Sequence, residues 1–188
     1  KDRQACGYVQ SFCDIPLDHE MTGESVYMNI LNQAQDYVWI TSPYLIIDHE
    51  LLTALMMAAK RGVDVRLITP HIPDKWYVHL ITQSYYPSLV EAGVKIYEYT
   101  PGFIHAKTFV SDDQVGVVGT INLDYRSLVH HYECATWMLK TKAVTQLRDD
   151  FLKTQAVSQH ITMADCRKFQ PLLKRWIVNV IKLFAPLM

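Results

Sequence analysis

His105 and Lys107 stand two residues apart in the run HAKTFV, whose β-branched and aromatic residues predict a strand. Side chains two apart on a strand leave the same face, so an imidazole and an ammonium are expected to share one pocket. A neutral imidazole nitrogen can attack phosphorus, and a neighbouring cation can neutralise the non-bridging oxygens during displacement. Such a pair by itself is common on strand surfaces. Its weight depends on the elements that hold it and on the residues that follow.

Tyr8 to Phe12 is strand-like and stops at the turn residues Asp14, Pro16 and Asp18. Ser25 is the expected cap of a helix carrying Val26, Ile30, Leu31 and Ala34 on one side. Tyr37 to Thr41 reads as a buried strand. Asp48 caps a helix from His49 to Arg61 that Gly62 stops, and Val63 to Ile68 is the next strand. Strand, helix, strand implies a right-handed parallel crossover. Pro73 to Gly93 predicts a helix in two pieces, because Pro87 does not suit a helix interior. Val94 to Tyr99 returns to strand pattern. Ala106 to Ser111 and Val115 to Gly119 form a hairpin about Asp112-Asp113-Gln114, Tyr132 to Leu139 adds a further strand, and Lys142 to Lys153 is a surface helix. The predicted class is α/β, with a mixed, largely parallel β-sheet flanked by helices on both faces.

At 188 residues, 49% hydrophobic and 20% charged, the chain can bury one substantial core. A formal net charge of −1 gives no long-range field for a polyanion, so no nucleic-acid partner is expected. Cys6, Cys13, Cys134 and Cys166 show no CxxC pair and no histidine at ligand spacing; they read as reduced thiols, with neither a metal site nor a disulfide scaffold. His19, His49, His71, His79 and His160 read as surface or packing residues. The chain opens at Lys1 with no Met and no targeting segment, which suggests a piece of a longer protein.

At the other end, Leu172, Leu173, Trp176, Ile177, Val180, Ile181 and Phe184 share one helical face, opposite Lys174, Arg175, Asn179 and Lys182. About 14 residues reach about 21 Å, short of a ~30 Å hydrocarbon core, and the internal charges count further against spanning. This helix is expected to pack on the domain or on a missing half; the alternative, favoured by the lack of any acid after Asp165, is docking on an anionic membrane surface. The expected organisation is a catalytic domain over residues 1–160 and an amphipathic appendage over 161–188.

The stretch HAKTFVSDDQVGVVGTIN fits HxKxxxxDxxxxxxGTxN at every fixed position. This is the HKD signature of the phospholipase D superfamily. With SPYLIID, RGVDVRLITP, SYYPSLVEAGVKIYEYTPGFIHAKT and NLDYRSL, the chain resembles the C-terminal catalytic domain of bacterial cardiolipin synthases from about Tyr8 to its end. The resemblance implies that His105 is the nucleophile or the general acid and that Lys107 binds phosphate. Asn122 and Thr120 fall where further phosphate-binding groups stand, Thr replacing the more usual Ser. Glu133 falls where a carboxylate hydrogen-bonds the catalytic histidine, which would fix its tautomer and stabilise an imidazolium-like intermediate. Read without the resemblance, Asn122 and Thr120 would be loop hydrogen-bonding residues and Glu133 a salt-bridged strand residue.

Asp112 lies at the turn, beyond the alternation that aims Lys107, and is expected to be structural. Gly119 is expected to allow close backbone approach behind the phosphate, or simply to end a strand. Asp124, Arg126 and Ser127 resemble a loop near the site and carry no assigned chemistry. His131 stands where Asn is frequent, and its role is open.

The resemblance implies no cofactor and no metal. The implied reaction is phosphatidyl transfer between two phosphatidylglycerol molecules, giving cardiolipin and glycerol through a phosphohistidine. Hydrolysis by the same residues, as a phospholipase D or a nuclease, is the alternative, and a catalytically silent interaction module is a third reading. One motif cannot both attack and protonate the leaving alkoxide. The implied partners are therefore an N-terminal half carrying a second HKD motif, or a second copy of this chain, together with an anionic phospholipid substrate. The implied location is the cell membrane on its cytoplasmic side, held peripherally or through an N-terminal anchor.

Overall fold

Alternation in the central strand sets the two faces of the sheet. Val38 and Ile40 are fully buried against one layer of helices, while Trp39, with Tyr37 beside it, packs into a separate cluster on the opposite face. The computed structural model describes residues 6–17 and 20–169, together with 178 and 180. In chain order the elements are β1 (Tyr8–Asp14), α1 (Thr22–Gln33), β2 (Tyr37–Thr41), β3 (Leu45–Ile46), α2 (His49–Lys60), β4 (Asp64–Pro70), α3 (Trp76–Glu91) and β5 (Lys95–Tyr99). There follow β6 (Thr108–Ser111), β7 (Val115–Gly119), β8 (Leu123–Asp124), a π-helical turn (Arg126–His130), β9 (Glu133–Leu139), α4 (Lys142–Ala156), β10 (Ser158–Ile161) and α5 (Met163–Phe169).

The main sheet runs β1-β9-β7-β6-β2-β4-β5-β10. Mixed α/β is the class expected, but the parallel portion is narrower than expected: β2, β4 and β5 pair in parallel, and every other neighbouring pair is antiparallel. Parallel neighbours need a long crossover, and only α2 and α3 supply one between adjacent strands; the tight β6–β7 turn can only give an antiparallel pair. Residues of α1, α2, α3 and α5 enter the main core on one face, while Val144 and Phe151 of α4 pack with Trp39, Ile68, Val110 and Met138 on the other.

Three sequence expectations shift. Helix α1 begins at Thr22 rather than at a Ser25 cap, because the Asp14 carboxylate at the end of β1 accepts from Gly23 N at 2.7 Å. Helix α3 is continuous through Pro87. Tyr86 beside that proline is fully buried and its hydroxyl meets Thr69 Oγ1 at 2.7 Å and Glu98 Oε1 at 3.2 Å, while Ile81 and Leu89 are buried on either side. These anchors hold the helical path across the one missing N–H. The expected division at residue 160 falls inside β10, and Ile161 and Cys166 join the main core. The amphipathic helix expected over Leu172 to Phe184 lies outside the described residues, apart from 178 and 180. Among the described residues no helix is long and apolar enough to cross a membrane.

Candidate active site

Strand β6 begins at Thr108, which pairs with Thr41 at the carboxyl end of β2 and with Val118 of β7. His105 and Lys107 therefore lie in the extended lead-in to the strand rather than inside it. They are not displayed alike. The Lys107 side chain is drawn in, leaving the residue 9% exposed, and its Nζ donates to the His105 carbonyl at 2.8 Å. The His105 ring is exposed and lies 5.7 Å from the Phe103 ring, tilted by 30°.

Across β7 and β9 the backbones come close. A Cβ on Gly119 would sit 2.4 Å from the Cys134 carbonyl oxygen and 2.5 Å from Ala135 Cβ. The close approach expected of Gly119 is thus toward β9, not toward a phosphate, and only glycine fits it. One residue on, Thr120 closes the pairing: its N–H donates to the Cys134 carbonyl at 2.9 Å, and its Oγ1 accepts from Cys134 N at 3.0 Å. The same hydroxyl donates to Glu133 Oε2. The other Glu133 oxygen lies 3.6 Å from His131 Nδ1. Glu133 is buried, and the partners it takes are Thr120 and His131; no hydrogen bond joins it to His105, contrary to expectation. The reason is register, since Gly119 opposite Ala135 brings the Thr120 hydroxyl to the Glu133 carboxylate.

Asn122 Nδ2 donates to Ser127 Oγ at 2.9 Å, and Asn122 Oδ1 is buried with no partner among the described residues. Asp124, buried in the β3–β8 pair, accepts from Ser127 N at 2.9 Å. Burial raises the Asp124 pKa, while the backbone N–H groups of Ser127 and Arg126 and the nearby His131 oppose the rise. Burial lowers the Lys107 pKa, and the Glu133 and Asp124 carboxylates pull it back toward the charged form. Lys107, Glu133 and Asp124 thus form one charged cluster, and Asn122 reaches Asp124 through Ser127. Ser127 and His131 belong to it although the sequence assigned them no role. The NLDYRSL stretch pointed to the first, and the place of His131 two residues before Glu133 to the second. Among the described residues, no three His, Cys, Asp or Glu side chains are grouped to hold a metal ion.

Asp112 is elsewhere. It stands five residues from Lys107, about 16 Å along an extended chain, so it cannot reach the same phosphate. Its Oδ1 accepts from Asp36 N at 3.0 Å and Tyr37 N at 2.8 Å, and its Oδ2 from Gln35 N at 2.9 Å. The carboxylate ties the loop before β2 to the β6–β7 turn, where Asp112 and Asp113 have φ of 53° and 55°. Tyr27 of α1 links the two ends of the motif. Its ring stacks on Phe109 at 3.9 Å and 11°, and its hydroxyl donates to the Ile121 carbonyl at 3.0 Å.

Residues 27–154 match the family described as cardiolipin synthase, PLD-like domain. The chain is 53% identical over 184 residues to an uncharacterized protein of Streptococcus mutans, covering 98% of this chain and 40% of that protein. It is 36% identical over 181 residues to a cardiolipin synthase of Halalkalibacterium halodurans, covering 89% of this chain and 36% of that protein. It therefore spans well under half the length of these relatives. Among solved structures, a phosphatidylserine synthase of Haemophilus influenzae superposes with a TM-score of 0.75 at 14% identity, over 96% of this chain and 47% of that one. The phospholipase D family member Nuc of Salmonella typhimurium superposes with a TM-score of 0.69 at 16% identity, over 82% of this chain and 98% of that one. Identities this low speak to the fold alone, and it is the match over residues 27–154 that assigns the chain to the phospholipase D-like domain family of the cardiolipin synthases.

Proposed function

We propose that this chain is one catalytic half of a phosphatidyltransferase that moves a phosphatidyl group between two phosphatidylglycerol molecules, forming cardiolipin and releasing glycerol. The observation that carries the reading is Lys107. Among the described residues its ammonium donates one hydrogen bond, to the His105 carbonyl, which leaves two N–H donors for the oxygens of a phosphodiester. Asn122 supports it. Turning its amide by 180° lets the Ser127 hydroxyl donate to Oδ1 and leaves the NH₂ as the group without a partner, a donor suited to a phosphate oxygen.

In this reading the exposed His105 ring attacks phosphorus or protonates the leaving alkoxide, and Glu133, held by Thr120, supplies negative charge beside Lys107. No metal or cofactor takes part. The complementary histidine comes from a second HKD motif, in keeping with the 36% share of the Halalkalibacterium halodurans relative that this chain covers. A paired second copy of this chain would be the other source. The enzyme works at the cytoplasmic face of the cell membrane, docked peripherally or held by an N-terminal anchor.

The test uses the whole protein and labelled phosphatidylglycerol. Cardiolipin plus glycerol supports transfer, and phosphatidic acid plus glycerol would mean hydrolysis. His105→Ala should remove at least about 10³-fold of the activity while leaving stability within ~0.5 kcal/mol, since the ring is exposed. A variant that retains most of its transfer rate would make this half a silent module.

A further inference from the structure

Cys13 and Cys134 face each other in register across the β1–β9 ladder, with Sγ atoms 3.0 Å apart and both residues exposed. The Cys134 backbone shows which kind of pair this is. Its N–H donates to Thr120 Oγ1 and its carbonyl accepts from Thr120 N, so both groups point toward β7 and away from β1. Cys13 and Cys134 are therefore a narrow, non-hydrogen-bonded pair, for which Cα atoms lie about 4.5 Å apart. That separation falls within the ~4.4–6.8 Å that a disulfide bridges, and closing the sulfurs asks only for side-chain rotation. The other cysteines are poorly placed to compete. Cys6 precedes the far end of β1, seven residues from Cys13 and about 23 Å away along an extended strand, and Cys166 is buried in the main core.

We propose that Cys13 and Cys134 form a dithiol modification site, oxidised by a peroxide or a low-molecular-weight disulfide to a cross-strand disulfide that staples the edge strand β1 to the strand carrying Glu133. This departs from the expectation of four reduced thiols without a disulfide. With hydrogen peroxide, the Cys13 thiolate attacks one oxygen, the O–O bond breaks, and the departing hydroxide takes up the proton shed by Cys13, giving a sulfenic acid and water. The Cys134 sulfur then attacks the Cys13 sulfur, the S–O bond breaks, and hydroxide leaves with the Cys134 proton as a second water. Two thiols lose two electrons and one peroxide gains them. The hydrogen bond with Cys13 pushes the Cys134 thiol pKa up, and the two steps balance equally with either cysteine reacting first.

The staple bears on the site because Cys134 is the residue that clamps Thr120, and Thr120 binds Glu133. One residue before Cys134 in the ladder, Glu133 pairs with Asp14, which caps α1. β1 has a single neighbour in the sheet, and besides that ladder it is held by the Asp14 bond to Gly23 of α1 and by Phe12 packing on the main core.

The experiment takes the reduced full chain, exposes it to a few-fold excess of hydrogen peroxide, blocks remaining thiols by alkylation and maps peptides without reduction. The expected product has lost about 2 Da before alkylation and contains a Cys13–Cys134 peptide that dithiothreitol splits. Cys13→Ser abolishes that peptide, whereas Cys6→Ser retains it. Oxidation should also raise Tm by roughly 5–10 °C, reversibly, in wild type but not in Cys13→Ser, because the closed loop is long. The proposal is overturned if both thiols stay alkylatable, if oxidation stops at sulfinic acid, or if the cross-link falls mainly on Cys6 or between chains. An oxidised chain with an unchanged Tm overturns the staple even if the bond forms.

Discussion

Replacing Asp112 by alanine removes the acceptor of three backbone N–H groups, those of Gln35, Asp36 and Tyr37. Hydrogen bonds to a charged acceptor contribute about 1.5–3 kcal/mol each, but two of these three are exposed and water can take over part of their role. The net loss should be about 2–4 kcal/mol. Alanine at a φ of 53° adds a backbone cost of about 1 kcal/mol that glycine avoids. The expected order of destabilisation is therefore Asp112→Ala, about 3–5 kcal/mol, then Asp112→Gly, about 2–4, then Asp112→Asn, about 1–2, since asparagine tolerates that φ and keeps one acceptor oxygen. Urea unfolding of each variant, followed by far-UV circular dichroism at one pH, measures the series. An Asp112→Ala variant within ~0.5 kcal/mol of wild type would refute the reasoning, because it would mean that water alone satisfies the loop.

Two further outcomes concern residues around the same sheet. Burial, followed by its hydrogen bond with Asp48, pushes the Glu24 carboxyl up to about 7. Its folded pKa lies above the unfolded value of 4.5, so the stability tied to its proton is fully present below about pH 4.5 and is lost as pH rises through 7. Glu24→Gln should therefore gain about 1–3 kcal/mol relative to wild type between pH 5 and pH 8 in urea titrations, and parallel pH profiles would contradict the assignment. Gly119→Ala should cost about 2–4 kcal/mol, because its Cβ would meet the Cys134 carbonyl oxygen at 2.4 Å; an unchanged urea midpoint would show that β7 and β9 can part without penalty.

Much of the central fold was legible because its signals are local. Tyr37–Thr41 and Val115–Gly119 are β-branched runs bounded by turn residues, and both strands have the limits their composition implies. Asp48 caps α2 as its position suggests, accepting from Leu51 N at 2.8 Å. The two-residue strands β3 and β8 are too short for any periodicity, and β10, with two exposed polar residues at its centre, gives no apolar alternation. At the site, the family resemblance singles out Lys107, Thr120, Asn122 and Glu133 but not their partners. The partner of Glu133 depends on the β7–β9 register, and the partner of Cys134 lies 121 residues away in the chain. Such long-range pairings leave no trace in a window of neighbouring residues. The start of α1 escapes a local reading for the same reason, since the carboxylate that meets its first turn is Asp14 of the preceding strand.

Tyr27 behaves as a gauge block for the HKD motif. Its ring rests on Phe109, two residues past Lys107, and its hydroxyl holds the carbonyl of Ile121, the residue before Asn122. The separation between the lysine end and the amide end of the site is thus measured off by one rigid side chain from a helix outside the motif. Shortening it to phenylalanine would leave the stacking surface but release the Ile121 end, so the spacing of the two ends of the motif rests in part on a residue outside it.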